Sequence, residues 1–526
     1  MMMKLTKIAT MLLCTAAPVA LFAQDVTLQS PDEFISVDGQ IVGFNGVMLR
    51  VQTTVGAVSV PASEVICFGD GCLEIIASND FGLTADAFQS IVTDSGAEVV
   101  SGSGDLQIAF AAPAFNTLYA TAVGAFATSG ARAQIAGDGT LTLQNDSDTA
   151  TLTATDDAAS ANIVIETVSL NGTTPQAYAN AFGWAGGGAL THQMVGLQSF
   201  SVLVAPNAGI DSISMNDLAR VYAGEVTNWS QIGGADMNVL ALQLPTSSPL
   251  RAQMEALVMA PAGKRIAGNV LTMSDEAGIS ASINQFPGSI SIVSTRAADV
   301  DMTVPVAGSC GIAVAATPFN VKSGDYPLIR PVMATYDAPS NLALVTELFD
   351  FASTETVQDM LAGEGFVSHI ASLQDSGLKN GRLSQLLGAL LDDAQRVAAA
   401  EMFQVLFNAD RMSPTLTGGA ASGPEGAWNR AMMQDLIAAL SDPANAGREI
   451  IFVGIGQSSA DSQTAINASI AAAAEMQAAL VATAPDVVAA GNYTLSSYGF
   501  GDVSPATCID GQVAGPTYTR VEVWIR

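Results

Sequence analysis

Residues 225–234 read EVTNWSQIGG, and this short polar stretch places one of the four tryptophans of the chain in a turn. It follows a helical pattern, LARVYAG, and precedes a strand-like run, NVLALQL. Asn228 before Trp229 and the pair Gly233-Gly234 after it are typical of a tight turn. A tryptophan in such a turn is more often a packing residue than a ligand contact, so we expect Trp229 to be structural.

The composition bounds the classes of function. A chain of 526 residues is long enough for about three or four domains of ordinary size. It carries 49 acidic against 19 basic residues, which gives a formal net charge of −30. A field of that sign argues against nucleic acids and anionic membrane surfaces as partners. It leaves room for a small anionic ligand, because backbone N–H groups bind anions locally.

The first 23 residues have the pattern of a secretory signal peptide. Lys4 and Lys7 precede an apolar stretch, and Ala23 is a plausible cleavage point before Gln24. We therefore expect an exported protein, located in a periplasm and associated with the cell wall or outer membrane if its later domains allow it.

Four cysteines follow the predicted signal peptide. Cys67 and Cys72 in CFGDGC would close a short loop in an oxidising compartment, which favours a disulfide between them. A metal site is the alternative, although no histidine lies nearby. Whether Cys310 and Cys508 pair is left open by the sequence.

Periodicity divides the first 375 residues into two parts. Residues 24–72 alternate strand-like runs with Gly turns and predict a small β module. From residue 73 a strand, the turn NDFG and an amphipathic helix form a unit whose helix N-terminus points free N–H groups outward. Residues 101–170 predict irregular β structure. From 175 to 300 helices and strands alternate, and closing helices follow at 345–370, so the fold class is α/β.

A second α/β unit is expected from 385 to 526, beyond a Gly- and Ser-containing passage at 374–385, with the boundary near residue 380. Its predicted order is helix, strand (AAEMFQVLFNA), helix (WNRAMMQDLIAALS), strand (EIIFVGIG), helix (AINASIAAAAEMQAALVA) and two strands (YTLSSYGFG and TRVEVWIR).

Three segments, in this order, resemble the phosphate-type substrate-binding proteins of ABC transporters. They are the helix and turn ending in TNWSQIGG, the run GISASINQFPGSISIVS (278–294) and the run SGDYPLIRPVMATY (323–336). The resemblance implies a two-lobed periplasmic binding protein fold of type II over residues 73–375, with the second lobe at about 200–295. It also implies that the lobes close over a small oxyanion such as phosphate, delivered to an ABC permease.

The same resemblance implies the ligand-binding residues. The loop ASNDFG is similar to the family's first anion loop and contributes Ser78, Asn79 and Asp80, although Asp80 stands where Thr is common. The loop TSSPLRAQM is similar to the second and contributes Ser247, Ser248 and Arg251. Ordinary helix capping is the alternative role for these serines. The third family loop is replaced here by AFGWAGGGAL, where Gly186, Gly187 and Gly188 stand in place of Ser and Arg.

The C-terminal unit resembles OmpA-like peptidoglycan-associated domains through its ending, SYGFGDVSPATCIDGQVAGPTYTRVEVWIR. That family binds diaminopimelate with an Asp and an Arg. At those positions this chain has Ser459 and Ala474. Asn467 and Arg520 are the matching residues that remain, and we expect either weak peptidoglycan binding or a structural role for them.

Two readings of the function stay open. The leading one is a periplasmic binding protein for a small anion, attached to the cell envelope through an OmpA-like domain. The alternative is a structural or interaction protein of the envelope in which both ligand sites are degenerate. An enzyme is not expected, because the two histidines, His192 and His369, lie in no metal or nucleophile motif. No cofactor is implied.

Overall fold

The structure is a computed structural model. It describes residues 25–29, 36–44, 48–53, 56–61, 66–68, 101–128, 133–156, 160–167, 190–309, 312–337, 340, 342–374, 403–418, 423–455, 462–501, 508–509, 512–513 and 519–526. The chain divides into two compact units, residues 1–84 and 85–526, which are described separately. The predicted signal peptide and Cys72 lie outside the described residues, so the export signal and the Cys67–Cys72 disulfide remain predictions.

The first unit holds one antiparallel sheet of five strands, in the order β4-β3-β2-β1-β5. The strands are β1 (Asp25–Gln29), β2 (Ser36–Phe44), β3 (Met48–Thr53), β4 (Gly56–Pro61) and β5 (Ile66–Phe68). Consecutive strands from β1 to β4 pair as hairpins, as the period-two pattern and its Gly turns indicate.

The second unit begins with a mixed α/β region. Its strands are β6 (Gly104–Phe110), β7 (Ala133–Ile135), β8 (Leu141–Gln144), β9 (Thr149–Thr155), β10 (Ile163–Thr167), β11 (Leu190–Val204), β12 (Ile213–Ser214), β13 (Leu240–Gln243), β14 (Leu271–Thr272), β15 (Ser289–Ser294), β16 (Thr303–Val304), β17 (Val306–Ser309), β18 (Ile312–Val314) and β19 (Ile329–Asp337). Its helices are α1 (Pro113–Thr128), α2 (Met215–Tyr222), α3 (Pro249–Met254), α4 (Glu276–Gln285), α5 (Pro318–Lys322), α6 (Ala343–Ala352) and α7 (Glu355–Gly363). The α/β fold class is thereby confirmed.

One long strand joins the two halves of this region. The 15-residue strand β11 pairs antiparallel with β19 from Leu190 to Ser199. From Phe200 to Val204 it pairs with β15 instead. The resulting eleven-stranded sheet runs in the order β14-β13-β15-β11-β19-β10-β6-β9-β8-β7, with β16 paired beside β11. We call the part around β6, β10 and β19 lobe one, and the part around β13 and β15 lobe two.

Each lobe has its own hydrophobic core. In lobe one, α1, α6 and α7 cover one face of the sheet, and Phe115, Leu118, Ile165 and Val345 are among the fully buried side chains. In lobe two, Leu203, Leu242, Ile279 and Val293 form a separate cluster under α4. Among the described residues the two clusters share no side chain, so each lobe is packed around its own core.

Helix α1 lies where irregular β structure was expected. Its sequence, PAFNTLYATAVGAFAT, begins with Pro at the first helical position, which the fixed φ of proline favours. Phe115, Leu118, Ala122 and Phe126 recur at helical spacing and are buried against the sheet. The sequence of this segment therefore does indicate a helix. The prediction for residues 101–170 was wrong here because it followed the polar, Thr-rich strands after the helix.

The C-terminal part forms a four-stranded sheet in the order β20-β25-β21-β22. Its elements are β20 (Asp410–Gly418), α8 (Gly423–Leu440), β21 (Glu449–Ile455), α9 (Ser462–Thr483), α10 (Pro485–Gly491), β22 (Thr494–Gly499), β23 (Cys508–Ile509), β24 (Gln512–Val513) and β25 (Thr519–Ile525). The strand predicted at AAEMFQVLFNA is wrong: residues 403–407 are helical, and the strand begins at Asp410. A short apolar run fits a helix and a strand equally well, which explains the error.

The turn at EVTNWSQIGG is a packing device, as predicted for Trp229. Residues Trp229–Ile232 form a short 3-10 helix, capped by Asn228, whose side chain accepts from Ser230 N. The indole of Trp229 is completely buried, and its Nε1 donates to the carbonyl of Gly288 at 2.9 Å. Gly288 has φ +73°, and a Cβ there would lie 2.3 Å from the carbonyl oxygen of Asn238. The tryptophan thus ties the turn to the loop that starts β15, where only glycine fits.

A row of buried polar side chains crosses the sheet of lobe one. Glu166 on β10 is 6% exposed and hydrogen-bonds the hydroxyl of Thr335 on β19. On the other side of that hydroxyl, Nδ1 of His192 on β11 lies 3.0 Å from Thr335 Oγ1. Burial raises the pKa of Glu166 to about 8 and, with the nearby charge of Arg430, lowers the pKa of His192 to about 4. Both side chains are therefore neutral at pH 7.

Truncation of the buried tryptophan is expected to destabilise lobe two. Trp229→Ala removes a fully buried ring and leaves the Gly288 carbonyl without its donor, so the free energy of unfolding should fall by about 3–5 kcal/mol. Urea unfolding followed by circular dichroism measures the loss. The matched control is Phe286→Ala, since Phe286 is 48% exposed. Equal losses for the two variants would contradict a packing role for Trp229.

Stability should fall with rising pH because of Glu166. A carboxyl whose folded pKa of about 8 exceeds its ordinary 4.5 stabilises the fold fully below pH 4.5 and loses that contribution as pH rises to 8. Between pH 7 and 8 the wild type should lose up to about 1.4 kcal/mol per pH unit relative to Glu166→Gln, which cannot ionise. His192 is present in both proteins, so its own titration cancels in the comparison. Urea unfolding at each pH from 7 to 9 measures the free energy of unfolding of both proteins. An equal change with pH in the two proteins would refute the assignment.

Candidate functional site

The loop that joins β13 to α3 in lobe two carries the predicted serines. β13 is parallel to β15, and its carboxyl end leads through Pro245 to Ser247 and Ser248. Ser247 is exposed. Ser248 is the N-cap residue of α3, but its side chain makes no capping hydrogen bond. Ser248 therefore does not use its hydroxyl for helix capping, which was the alternative role for these serines. Its hydroxyl can donate to or accept from another group.

Arg251 braces this loop from within α3. Its Nε donates to Glu255 Oε1 at 2.7 Å, one helical turn further on, and NH1 donates to the carbonyl of Leu244 at 3.3 Å. The arginine side chain is 13% exposed. The guanidinium of Arg251 thus holds the end of β13, and its role in binding a ligand stays a prediction. Pro249 occupies the first turn of the helix and supplies no N–H there.

Lobe one presents a comparable helix N-terminus at residues that the sequence did not single out. β6 and β10 are parallel neighbours, and the chain passes from the end of β6 into α1 through Ala111 and Ala112. Ala111 N donates to Ile165 O at 2.9 Å, which fixes this turn beside the end of β10. The N–H groups in the first turn of a helix lack intrahelical partners and favour an anion. Parallel strands bind ligands at this edge.

Glu166 lies next to the last residue of β10, at the same edge. Its Oε1 finds no hydrogen-bond partner among the described residues. Because burial keeps this carboxyl protonated at neutral pH, it brings no negative charge to the edge of the sheet. No local pattern pointed to this residue, because a glutamate within IVIET is typical of the solvent-facing side of a strand.

Hydroxyl groups also gather where β11 changes partner. Ser199 and Ser201 both donate to Thr295 Oγ1, at 2.9 and 3.1 Å, and the two serines are buried. The three hydroxyl groups thus form hydrogen bonds with one another where the two lobes join. They stabilise the crossing point and are already engaged, which separates them from the exposed Ser247.

Several predicted site residues fall outside the described residues: Ser78, Asn79 and Asp80 of the first loop, and Gly186, Gly187 and Gly188 of the glycine stretch. Their roles stay predictions. Within the part of the chain that the structure describes, no three His, Cys, Asp or Glu side chains converge as metal ligands. In the same ranges, no helix combines the length and the apolar character needed to cross a bilayer.

The two residues proposed for peptidoglycan contact lie on different elements. Asn467 lies on the exposed side of α9, with the half-buried Ala474 two turns further along. Arg520 on β25 is directed instead to the loop after α5. Its NH2 donates to Ser323 O at 3.1 Å and to the carboxylate of Asp325. Arg520 is thus engaged within the chain.

A central part of the chain matches a known protein family. Residues 173–355 match the model described as "PBP superfamily domain". "Phosphate-binding protein PstS" of Bacillus subtilis (strain 168) is 24% identical over 180 residues, which are 34% of this chain and 58% of that protein. The chain therefore matches less than two thirds of this relative. Both descriptions are of binding proteins, in agreement with the expectation that the chain is not an enzyme.

Solved structures of phosphate receptors are similar to about half of the chain. An ABC-type phosphate transport receptor from Vibrio cholerae is 14% identical, with a TM-score of 0.38, and the match covers 50% of this chain and 99% of the receptor. PstS from Borrelia burgdorferi is 15% identical, with a TM-score of 0.40, and the match covers 50% and 98% of the two chains. The family match covers residues 173–355, which contain β11, all of lobe two and β19, and this part of the chain is similar to the PBP superfamily domain.

Proposed function

We propose that residues 101–374 bind a small inorganic oxyanion of the phosphate class between lobe one and lobe two. The observation that carries the proposal is the loop before α3. Ser247 is exposed there, and Ser248, at the helix N-terminus, does not use its hydroxyl to cap the helix. Hydroxyls and backbone N–H groups at such a terminus form an anion site that tolerates the strong negative charge of the whole chain. The match to a protein named for phosphate binding supports the same ligand.

In this proposal the two lobes close about β11 and β19. Strand β11 runs through both lobes, and β19 pairs with its lobe-one half, so a rotation at this point would move each core as a body. Lobe one contributes the first turn of α1, and lobe two contributes Ser247, Ser248 and Arg251. Ser78, Asn79 and Asp80 remain candidates for the same pocket. The cargo would pass to an ABC permease after export by the N-terminal signal peptide.

The C-terminal part is proposed to be an OmpA-like domain that associates the protein with the cell envelope. Its strand order, with parallel β21 and β22 and the antiparallel β25 between β20 and β21, supports this resemblance. The family's Asp and Arg are replaced by Ser459 and Ala474, which cannot form ion pairs with diaminopimelate. Direct recognition of peptidoglycan by that pair is therefore not part of the proposal.

One observation favours the alternative, an envelope interaction protein without cargo. The loop of lobe one, Ala111-Ala112-Pro113, offers neither a hydroxyl nor a full set of N–H donors. Half of the anion pocket would then rest on backbone groups alone. A ligand screen decides between the two functions.

Phosphate is expected to raise the melting temperature of the mature protein at low salt. At a hundredfold excess over Kd, binding should add about 2.7 kcal/mol of stability. Arg251→Ala frees the end of β13 and should reduce the shift. The matched control is Arg220→Ala, since Arg220 also pairs with acids of lobe two, Asp217 at 2.7 Å and Glu225 at 3.8 Å. No shift with phosphate, sulfate or molybdate would favour the alternative function.

Purified peptidoglycan sacculi should not pull down the wild-type protein. The double substitution Ser459→Asp with Ala474→Arg restores the charged pair that the OmpA-like family uses, so this variant should gain sedimentation with sacculi. Ser459→Asn with Ala474→Gln, which adds polar groups without charge, is the control. Strong sedimentation of the wild type would show that the alignment of this loop is wrong.

A further inference from the structure

The C-terminal domain packs against the segments that join the two lobes. Helix α8 lies along β11, and Arg430 on this helix donates from NH2 to the carbonyl of His192 at 2.7 Å. His192 belongs to the part of β11 that pairs with β19 in lobe one. A domain expected to be an independent module is therefore in contact with the strand about which the lobes would rotate.

A second contact holds the chain where it returns from lobe two to lobe one. Residues 323–328, which we call the connector, lie between α5 and β19. The carboxylate of Asp325 in the connector accepts from Arg411 NH1 at 2.5 Å and from Arg411 NH2 at 3.2 Å. It also accepts from Arg520 of β25. Two arginines of the C-terminal domain thus share one connector carboxylate.

This ion cluster is buried. Arg411 is fully buried, Asp325 has a 9% exposed side chain, and Glu522, which is also fully buried, lies 3.1 Å from Arg411 Nε. The four side chains of Asp325, Arg411, Glu522 and Arg520 carry two charges of each sign. Removal of one acid leaves an arginine charge incompletely compensated in a largely buried cluster, which is costly.

Further contacts fasten the same region. His369 Nδ1 lies 2.8 Å from Asp435 Oδ2 of α8, and both side chains are buried. Lys322 at the end of α5 donates to Ile370 O at 2.9 Å. A Cβ placed on Gly324 would lie 3.8 Å from the ring of the buried Trp428. The connector therefore contacts the C-terminal domain at Gly324 and Asp325, and the segment after α7 contacts it at His369.

We propose that the C-terminal domain holds the connector in the arrangement that binds the anion, and that Asp325 is the positioning residue through which it acts. A connector held by a rigid partner loses its conformational freedom before the ligand arrives, so less of the binding free energy is spent on ordering it. Release of the domain should loosen β11 and β19 and weaken anion binding. The effect on affinity rests on the proposed function, whereas the effect on the strands does not.

The first test is amide hydrogen exchange of the full chain without ligand. In Asp325→Asn, peptides from β19 and the β11 segment 190–199 should exchange at least about tenfold faster than in the wild type. Peptides from β13 and β15 in lobe two should keep their protection. Asp217→Asn, which removes an acid paired with the partly exposed Arg220, is the matched control and should change neither. Unchanged exchange in β11 and β19 would overturn the proposal.

A milder variant guards against failure to fold. Arg520→Gln removes one of the two arginines on Asp325 and leaves Arg411 paired, and its side chain is 18% exposed. It should speed exchange in the same two strands by a smaller factor. Faster exchange confined to β20 and β25 would show a merely local interface and would also overturn the proposal.

The second test is phosphate affinity by isothermal titration calorimetry at constant pH and salt. Asp325→Asn should raise the Kd for phosphate by about fivefold or more, with Asp217→Asn unchanged. An unchanged or lower Kd would contradict the positioning role. If the wild type binds no phosphate, the proposed function fails, and the exchange measurement still decides whether the domain braces the connector.

Discussion

The structure of residues 85–526 depends on one constraint, the change of partner along β11. The first ten residues of this strand satisfy their backbone groups against β19 and the last five against β15. Unpaired backbone groups in a buried strand are costly, so the strand must remain paired on both sides of the change. Strand β11 thus belongs to both lobes, and its partner changes between Ser199 and Phe200. The cluster of Ser199, Ser201 and Thr295 stabilises that point with polar contacts.

The candidate site follows from this arrangement. In each lobe a helix begins at the carboxyl end of parallel strands, α1 beside β10 in lobe one and α3 after β13 in lobe two. Helix N-termini carry partial positive charge, and the proposed function uses these two positions to hold an anion in a strongly acidic chain. The lobes are chemically unequal. Lobe two supplies serine hydroxyls and an arginine that holds their loop, whereas lobe one supplies backbone donors and the neutral carboxyl of Glu166.

The C-terminal domain changes how this pair of lobes is supported. Arg411 and Arg520 donate from it to the buried carboxylate of Asp325 in the connector, and Arg430 donates to the backbone carbonyl of His192 on β11. Displacement of the domain would leave these buried charges without partners, which is costly. A surface that an isolated envelope-binding module would leave open is occupied by the chain itself. The domain therefore has an intramolecular role whatever its external partner, and the binding region and the C-terminal domain form one compact unit.

The sequence by itself determined the local structure wherever periodicity and turn chemistry agreed. The capped turn at Trp229, the helix before it, strands β13 and β15, and the C-terminal order from α8 to β25 all lie where the patterns predicted them. The sequence also predicted that Ser247, Ser248 and Arg251 lie together around the start of one helix, because these residues are close in sequence. Tertiary structure decided the rest. The pairing of Asp325 with arginines 86 and 195 residues away, and the burial of Glu166 and His192 across three strands, arise from long-range packing that no local pattern encodes. Sequence periodicity reports which face of an element is apolar, and only the assembled sheet determines which charges meet beneath it.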